Sequence, residues 1–256
     1  GLGYFGMPHT LLRFMAIEGE KKLKLSRRVA TIWVVISLFV AVFIGVIGYT
    51  MSKVGALEML TGSNSETIIV KISALLSQHG VIFALLAGVI LAGILASTMS
   101  TSDSQLLAAS SAVSSDLLGA FRKDSSNKNG SMAAARITLL VISVVAAFIA
   151  RNPDSSVFAI VSFAWAGFGA AFGPVVLFSL FWKRTNKWGA LAGMVCGGSM
   201  VFIWKYLIRP LGGIWNIYEL LPAFLIACAA IVIVSLLTPK PSKEIEEEFD
   251  RVAQMK

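Results

Sequence analysis

The sequence predicts an all-α polytopic membrane protein. Of its 256 residues, 56% are hydrophobic and only 14% are charged, whereas soluble domains average about 25% charged residues. Several uncharged runs reach the ~20 residues that a helix needs to cross the hydrocarbon core of a bilayer. Low charge and long apolar runs together place the chain in a lipid bilayer, in a membrane domain that covers residues 1–238.

The membrane domain begins with an interrupted apolar stretch at 1–16. Glycines loosen this stretch, and Pro8 removes a backbone donor. The pattern favours a discontinuous membrane segment whose freed backbone groups face a cavity, with a kinked packing helix as the alternative. The remaining membrane spans are predicted at 29–52, 81–118, 131–150, 155–182, 188–208 and 220–238.

The connections between the spans are short and polar. Ser63 and Glu66 have capping-box spacing and predict a helix over about 64–78 on the outer surface. Polar loops are expected at 121–130 and 151–154. The last segment, 239–256, is interpreted as a solvated tail in preference to a helix with a weak apolar stripe.

Two further patterns concern packing within the spans. Gly189, Gly193 and Gly197 recur at four-residue spacing, which suits close approach of two helices. Cys196 and Cys228 both lie inside apolar runs, which is typical of small packing residues and not of a disulfide or metal pair.

The basic residues predict the orientation in the membrane. Most of the 22 Lys and Arg residues fall in alternate loops on one side of the predicted spans. By the positive-inside rule that side is cytoplasmic, so the tail is cytoplasmic and 53–80 lies outside the cell membrane. The net charge of +8 does not indicate nucleic-acid binding, because the charges are confined to these short loops.

A cluster of hydroxyl side chains follows the apolar run 81–95. On a helix Ser97, Ser100, Thr101 and Ser104 are spaced i, i+3, i+4, i+7 and share one face. Oxygen atoms of this kind are hard ligands that suit a small alkali cation. Helix–helix packing through hydroxyls is the alternative, and the pattern alone leaves both open.

Two other polar or aromatic side chains stand out within the spans. A carboxylate such as Asp103 is costly at membrane depth. It would serve a second ion, a proton step or a salt bridge to an inner arginine. Trp165 lies in the middle of a span, away from the interfaces where tryptophan collects, and either lines a cavity or packs in the core.

Enzymatic motifs are not found in the sequence. It has no Gly-x-Ser-x-Gly and no His-Glu-x-x-His, and neither of its two histidines pairs with a serine and an acid. Phosphate-binding glycine loops are missing too. The chain is therefore interpreted as a non-enzyme, and ATP-driven transport is not supported.

Three sequence blocks carry a family resemblance. They are residues 1–9 (GLGYFGMPH) with 13–16 (RFMA), 99–101 (MST) with 104–107 (SQLL), and 164–174 (AWAGFGAAFGP). In these blocks, and over essentially the whole chain to about Leu237, the sequence resembles the sodium/solute symporter family. The resemblance implies a fold of two inverted five-helix repeats. This chain would supply the second repeat and two C-terminal helices, and the first repeat would lie in a missing N-terminal half.

The resemblance also implies roles for individual residues. Ser97 through its carbonyl, Ser100 and Thr101 would bind sodium, and the other ligands would come from the missing half. Asp103 and Ser104 are candidates for a second ion or for support of the first. Tyr4 falls where the family contacts the solute, and Met7, Pro8 and Trp165 are further candidate solute contacts.

The implied activity is sodium-coupled uptake of proline by alternating access. Met7 stands where the family has Gln, which leaves a related solute open. The alternatives are a sodium- or proton-coupled symporter of another small organic solute, or the membrane domain of a sensor or an intramembrane enzyme. The chain begins with Gly and not Met, and it is interpreted as a C-terminal fragment.

Overall fold

The computed structural model describes residues 1–117, 128–151 and 156–254, and within these ranges it contains helices and no strand. Six helices in the described ranges are long and apolar enough to cross a membrane, which confirms the predicted fold class. These candidate spans are Lys22–Lys53, Val81–Ser114, Met132–Ile149, Val157–Phe181, Lys187–Leu211 and Leu220–Leu237.

The helices fall into two units. Residues 1–16 and 158–256 form the first, called the terminal unit, and residues 17–157 form the second, called the middle unit. The terminal unit thus joins the interrupted first segment to the last three spans, although about 140 residues of sequence separate them.

The middle unit is built on two long helices and a short helix packed against both. Its helices are α2 (Glu20–Lys53), α3 (Ile68–Ser77), α4 (Val81–Ser111), which continues as a π-helix over Ala112–Leu117, and α5 (Lys128–Ile149). A Cβ at Gly48 of α2 would overlap the Ile68 side chain, so this glycine allows α3 to lie close. Ser110 donates its hydroxyl proton to Ala135 O at 2.8 Å and ties α4 to α5.

The capping box predicted for α3 is wrong. Gly62–Thr67 is a 3₁₀-helix, α3 begins at Ile68, and no side chain caps it. Glu66 instead accepts hydrogen bonds from the Ser156 hydroxyl and, at 3.0 Å, from Val157 N. The carboxylate therefore satisfies one hydroxyl and one backbone N–H about 90 residues further along the chain, within the middle unit.

The terminal unit holds α1 (Pro8–Met15), α6 (Val157–Phe181), α7 (Lys187–Ile203), α8 (Leu220–Leu237) and α9 (Lys243–Gln254). The first residue of α6, Val157, is counted with the middle unit. Its core is made of small and branched side chains. Ala166, Ala170, Val201 and Ala223 are fully buried there.

The predicted glycine packing is confirmed. Gly189, Gly193 and Gly197 are all buried on α7. Added Cβ atoms would overlap Ser235 and Ile231 of α8 and, at Gly197, the carbonyl oxygen of Ala170 in α6. The two cysteines are free and partly buried, as predicted.

The turn between α6 and α7 is fastened to the end of α8. Asn186 caps α7 by accepting from Gly189 N at 2.8 Å. Its amide nitrogen donates to Thr238 Oγ1 and Pro239 O, and Arg184 donates to Thr238 O at 2.9 Å. The side chains of the turn thereby satisfy backbone acceptors that a helix end leaves without partners.

The tail differs from the solvated segment favoured by the sequence. Residues Lys243–Gln254 form a helix, α9, in which Ile245, Phe249 and Val252 lie on one face. Asp250 accepts a hydrogen bond from Lys183 in the α6–α7 turn. Because the apolar residues recur at helical spacing and the acidic ones lie between them, the segment forms an amphipathic helix.

Two predicted loops fall partly outside the described residues. In the 121–130 loop, the helix α5 already begins at Lys128, and 118–127 are not described. In the 151–154 turn only Arg151 is described.

Candidate functional site

The candidate ion ligands lie on α4 in the middle unit. This helix is continuous through the hydroxyl cluster. Ser97, Ser100 and Thr101 are exposed, and Ser104 is half-buried. The structure therefore brings the predicted ligands onto one helix face that the described residues leave open.

The hydroxyl protons on α4 are directed to the helix backbone. Thr101 Oγ1 donates to Ser97 O at 3.0 Å, and Ser104 Oγ donates to Ser100 O at 2.9 Å. Thr98 and Ser102 make the same bond to the residue four positions earlier. A hydroxyl whose proton is used in this way presents only lone pairs to its surroundings, which is what a cation requires.

The Ser97–Thr101 pair is the best-defined part of this face. The Ser97 carbonyl oxygen and the Thr101 hydroxyl oxygen lie 3.0 Å apart, which is close enough for both to contact one small cation. The Ser100 hydroxyl makes no side-chain hydrogen bond within the described residues, so it is free to turn toward the same point. Three neutral oxygens are an incomplete shell for a hard cation, which takes six or more.

Asp103 is exposed on α4, and within the described ranges it has no ion-pair partner. The salt bridge to an inner arginine that the sequence suggested is not found among these residues. In the same ranges no group of three His, Cys, Asp or Glu residues is arranged to hold a metal ion. The candidate ligands that α4 itself offers are hydroxyl and carbonyl oxygens.

The candidate solute residues lie in the terminal unit, where the first segment is interrupted at Met7. Tyr4–Gly6 is a 3₁₀-helix, Met7 is extended with φ −80° and ψ 121°, and Pro8 is the first residue of α1. Proline suits this position because it has no N–H to satisfy and its φ matches the helix. The interruption predicted from the glycines and Pro8 is thus present, and its place in the membrane stays a prediction.

Glycines fit the interrupted segment against α6. A Cβ at Gly3 would overlap the indole ring of Trp165, and one at Gly6 would lie 2.7 Å from Gly173 N. On α6, a Cβ at Gly169 would lie 2.6 Å from the Gly3 Cα. Backbone therefore packs on backbone at this break, and the need for Gly3 and Gly169 was not foreseen from the sequence.

Tyr4 and Trp165 are brought together, with ring centroids 6.2 Å apart and an interplanar angle of 41°. The tyrosine is 50% exposed, whereas the tryptophan is half-buried and packs against the core of the unit. Met7 is only 7% exposed, and Pro8 is half-buried. Tyr4 is therefore the most accessible of the predicted solute residues.

The fold and these two sites define a class. Six long apolar helices, a first segment interrupted by an extended residue, and a helix face of hydroxyl oxygens are typical of a multi-pass secondary transporter.

The chain belongs to the sodium:solute symporter family, whose family model matches residues 1–197. The chain is 40% identical over 250 residues to a sodium/proline symporter of Salmonella typhimurium, with 97% of this chain and 48% of that protein covered. It is also 40% identical over 253 residues to a sodium/proline symporter of Haemophilus influenzae, covering 98% and 49%.

An osmoregulated proline transporter, OpuE, of Bacillus subtilis is 39% identical over 243 residues, covering 95% of this chain and 47% of its own length. The chain thus spans about half the length of the curated relatives it matches. No solved structure matches it.

Proposed function

We propose that the protein to which this chain belongs takes up proline together with sodium by alternating access. The observation that carries the proposal is that curated relatives named as proline transporters match nearly the whole chain at about 40% identity. The cell membrane is the proposed location, because uptake from outside requires it.

Sodium would bind at the hydroxyl face of α4. The Ser97 carbonyl oxygen and the hydroxyls of Ser100 and Thr101 would supply part of its shell, and the N-terminal half of the protein would supply the rest. Support comes from the 3.0 Å spacing of the Ser97 and Thr101 oxygens. Because the ion would join two parts of the protein, it would favour the solute-binding conformation, and by linkage solute and ion would each raise the affinity of the other.

Asp103 and Ser104 lie one turn beyond this point and are proposed to support the ion or to bind a second one. A carboxylate would add charge where the other ligands are neutral. Measurement of the number of sodium ions transported per proline in the Asp103→Asn variant tests this role. If both this ratio and the sodium requirement are unchanged, the proposed role of Asp103 is rejected.

The solute would bind at the break in the first segment. Proline has an apolar ring, a carboxylate and a secondary ammonium group. The Tyr4 and Trp165 rings would contact the apolar ring. Met7 and Pro8 would shape the site, since they set the extended backbone at the break. In the described part of the chain, no backbone N–H is bonded to the carbonyl of the half-buried Phe5, and this oxygen would accept from the ammonium group.

The proposed activity is tested with the full-length protein in proteoliposomes. An inward sodium gradient should drive accumulation of labelled proline, and a potassium or proton gradient should not. A panel of competing amino acids, organic anions and vitamins then identifies the solute. Accumulation driven by protons, or blocked only by another solute, would reject the proposal.

The proposed orientation places α9 and the carboxyl terminus in the cytoplasm, as the distribution of basic residues favours. A protease-sensitive epitope tag after residue 256 should resist external protease in intact cells and be cleaved after permeabilisation. Cleavage in intact cells would reverse the orientation.

A further inference from the structure

Three consecutive residues before α8 each bond to a different part of the terminal unit. Residues 217–219 are called the strap. Ile217 O accepts from Trp204 Nε1 at 3.2 Å, and Glu219, which is 2% exposed, accepts from Arg209 at 3.0 Å. The hydrogen bond from Trp204 holds one end of the strap at Ile217. The other end is held at Glu219, because a buried carboxylate with a charged partner is costly to disturb.

The middle residue of the strap reaches α6. Tyr218 donates its phenol proton to Ser162 O at 2.6 Å, across 56 positions of sequence. In an α-helix the carbonyl of residue 162 also accepts from the N–H of residue 166, so this oxygen belongs to the turn that contains Trp165. The strap therefore holds that turn of α6 through a single hydrogen bond.

The position of Trp165 allows little freedom. The Gly3 Cα lies so close that a Cβ there would overlap the indole ring, and the centroid of the Tyr4 ring lies 6.2 Å from that of the Trp165 ring. A small rotation of the α6 turn would therefore change the distance between Tyr4 and Trp165.

We infer that Tyr218 is a positioning residue for Trp165, and that its hydrogen bond to the α6 backbone sets the spacing of the Tyr4–Trp165 pair and with it the affinity for the solute. This inference rests on the proposed function, since it assumes that the pair contacts the solute. Tyr218 acts through α6, and within the described residues its ring makes no aromatic contact with Tyr4 or Trp165.

The surroundings of Tyr218 preserve its proton. Burial raises the pKa of the Tyr218 phenol above its usual value, and the neighbouring Glu219 carboxylate raises it further. The phenol therefore remains a donor at every pH at which transport would be measured.

The test compares Tyr218→Phe with Tyr206→Phe in the full-length protein. Tyr206 is the matched control because its ring packs on Phe163, the neighbour of Ser162, at a centroid distance of 6.1 Å. Within the described residues its hydroxyl makes no hydrogen bond. Both variants lose one phenol oxygen next to the same turn, but only Tyr218→Phe loses a bond to it.

The first measurement is amide hydrogen exchange of peptides from the beginning of α6, which does not depend on transport. Tyr218→Phe should speed exchange over 158–166 by about fivefold, the effect of one neutral hydrogen bond, with α8 unchanged. Tyr206→Phe should leave the exchange as it is in the wild type. Equal exchange in the two variants would overturn the inference.

The second measurement is sodium-driven proline uptake. Tyr218→Phe should raise the half-saturating proline concentration by about fivefold while the maximal rate changes less than twofold. A fall in the maximal rate alone would indicate a purely structural role and overturn the inference. If the wild type shows no proline uptake, the proposed function fails. The exchange result then still decides whether Tyr218 holds α6.

Discussion

The glycines of α7 and the hydroxyls of α4 are both series of small side chains at helical spacing, and the structure uses them differently. Gly189, Gly193 and Gly197 are buried, and each lies where a Cβ would overlap a neighbouring helix. Ser97, Ser100 and Thr101 are exposed, and the bond that positions Thr101 is made within its own helix. A small residue is required in the first series by close packing, and in the second the oxygen it carries is the proposed reason.

The comparison shows that spacing does not distinguish packing from ligand binding. Burial and hydrogen bonding do, because a packing position has neighbours in contact, whereas a ligand position has lone pairs that the protein leaves unused. The following experiments test this distinction, beginning with the largest expected effect.

Gly197→Ala tests the packing series. Its Cβ would overlap the backbone carbonyl oxygen of Ala170, which cannot move without shifting α6. We expect a loss of roughly 2–3 kcal/mol in the free energy of unfolding, since overpacking of a rigid site costs this much. Thermal unfolding in detergent measures it.

Gly198→Ala is the control for this change. A Cβ at Gly198 would lie 3.9 Å from the Ala171 Cβ, which is an ordinary contact. The control should stay within about 0.5 kcal/mol of the wild type. If the two variants lowered the free energy of unfolding equally, the close contact between Gly197 and Ala170 would not be the reason for the destabilisation.

Thr101→Ala tests the ligand series. Removal of one oxygen from a cation shell should raise the half-saturating sodium concentration by about tenfold or more, because bonds to charged groups contribute about 1.5–3 kcal/mol. Solute recognition should change much less. Uptake at varied sodium and at varied proline separates the two effects.

Thr98→Ala is the matched control, because Thr98 bonds to Ile94 O at 2.9 Å as Thr101 does to Ser97 O but lies off the predicted ligand face. Its sodium requirement should equal that of the wild type. The ligand role of Thr101 would be lost if both variants, or neither, altered the sodium requirement.

Tyr4→Ala asks whether an exposed aromatic side chain acts on the solute as the exposed hydroxyls are proposed to act on the ion. We expect the half-saturating proline concentration to rise by up to about tenfold, which corresponds to part of the burial energy of one aromatic ring. The sodium requirement should change little. Phe14→Ala, which removes a ring of similar exposure (48% against 50%), should affect neither. A parallel change in both requirements would argue against solute contact by Tyr4.

The smallest effect is expected at the Lys183–Asp250 pair. The hydrogen bond from Lys183 to Asp250 raises the pKa of the lysine, and the Asp250 and Glu246 charges add to this. Because the pKa of the lysine is raised, the stabilisation by the ion pair is fully present at neutral pH. This stabilisation is lost only as the pH rises through the raised pKa. Because both side chains are exposed, Asp250→Asn should leave the unfolding temperature unchanged.

The same substitution should nevertheless loosen α9. Limited proteolysis or hydrogen exchange over 243–254 should be faster in Asp250→Asn, and salt should reproduce the effect in the wild type by screening the pair. If neither salt nor the substitution changes the exchange of α9, the ion pair does not hold the helix.

The sequence alone predicts the properties that depend on local composition and period. The fold class, the hydroxyl face of α4, the glycine series of α7 and the break near Pro8 all follow from hydropathy and from residues three or four positions apart. The residue roles at the ion and solute sites come from family resemblance, and they remain predictions.

Only the tertiary structure decides which distant groups meet. Glu66 has the spacing of a local capping box, yet it bonds to Ser156 and Val157 about 90 residues later, because the donors there need a partner and the local helix begins elsewhere. The close fit of Gly3 to Trp165 and the bond from Tyr218 to Ser162 likewise join residues far apart in sequence. Local periodicity specifies which face of a helix is apolar or polar. A contact between two helices depends on which distant segments the tertiary fold places next to each other.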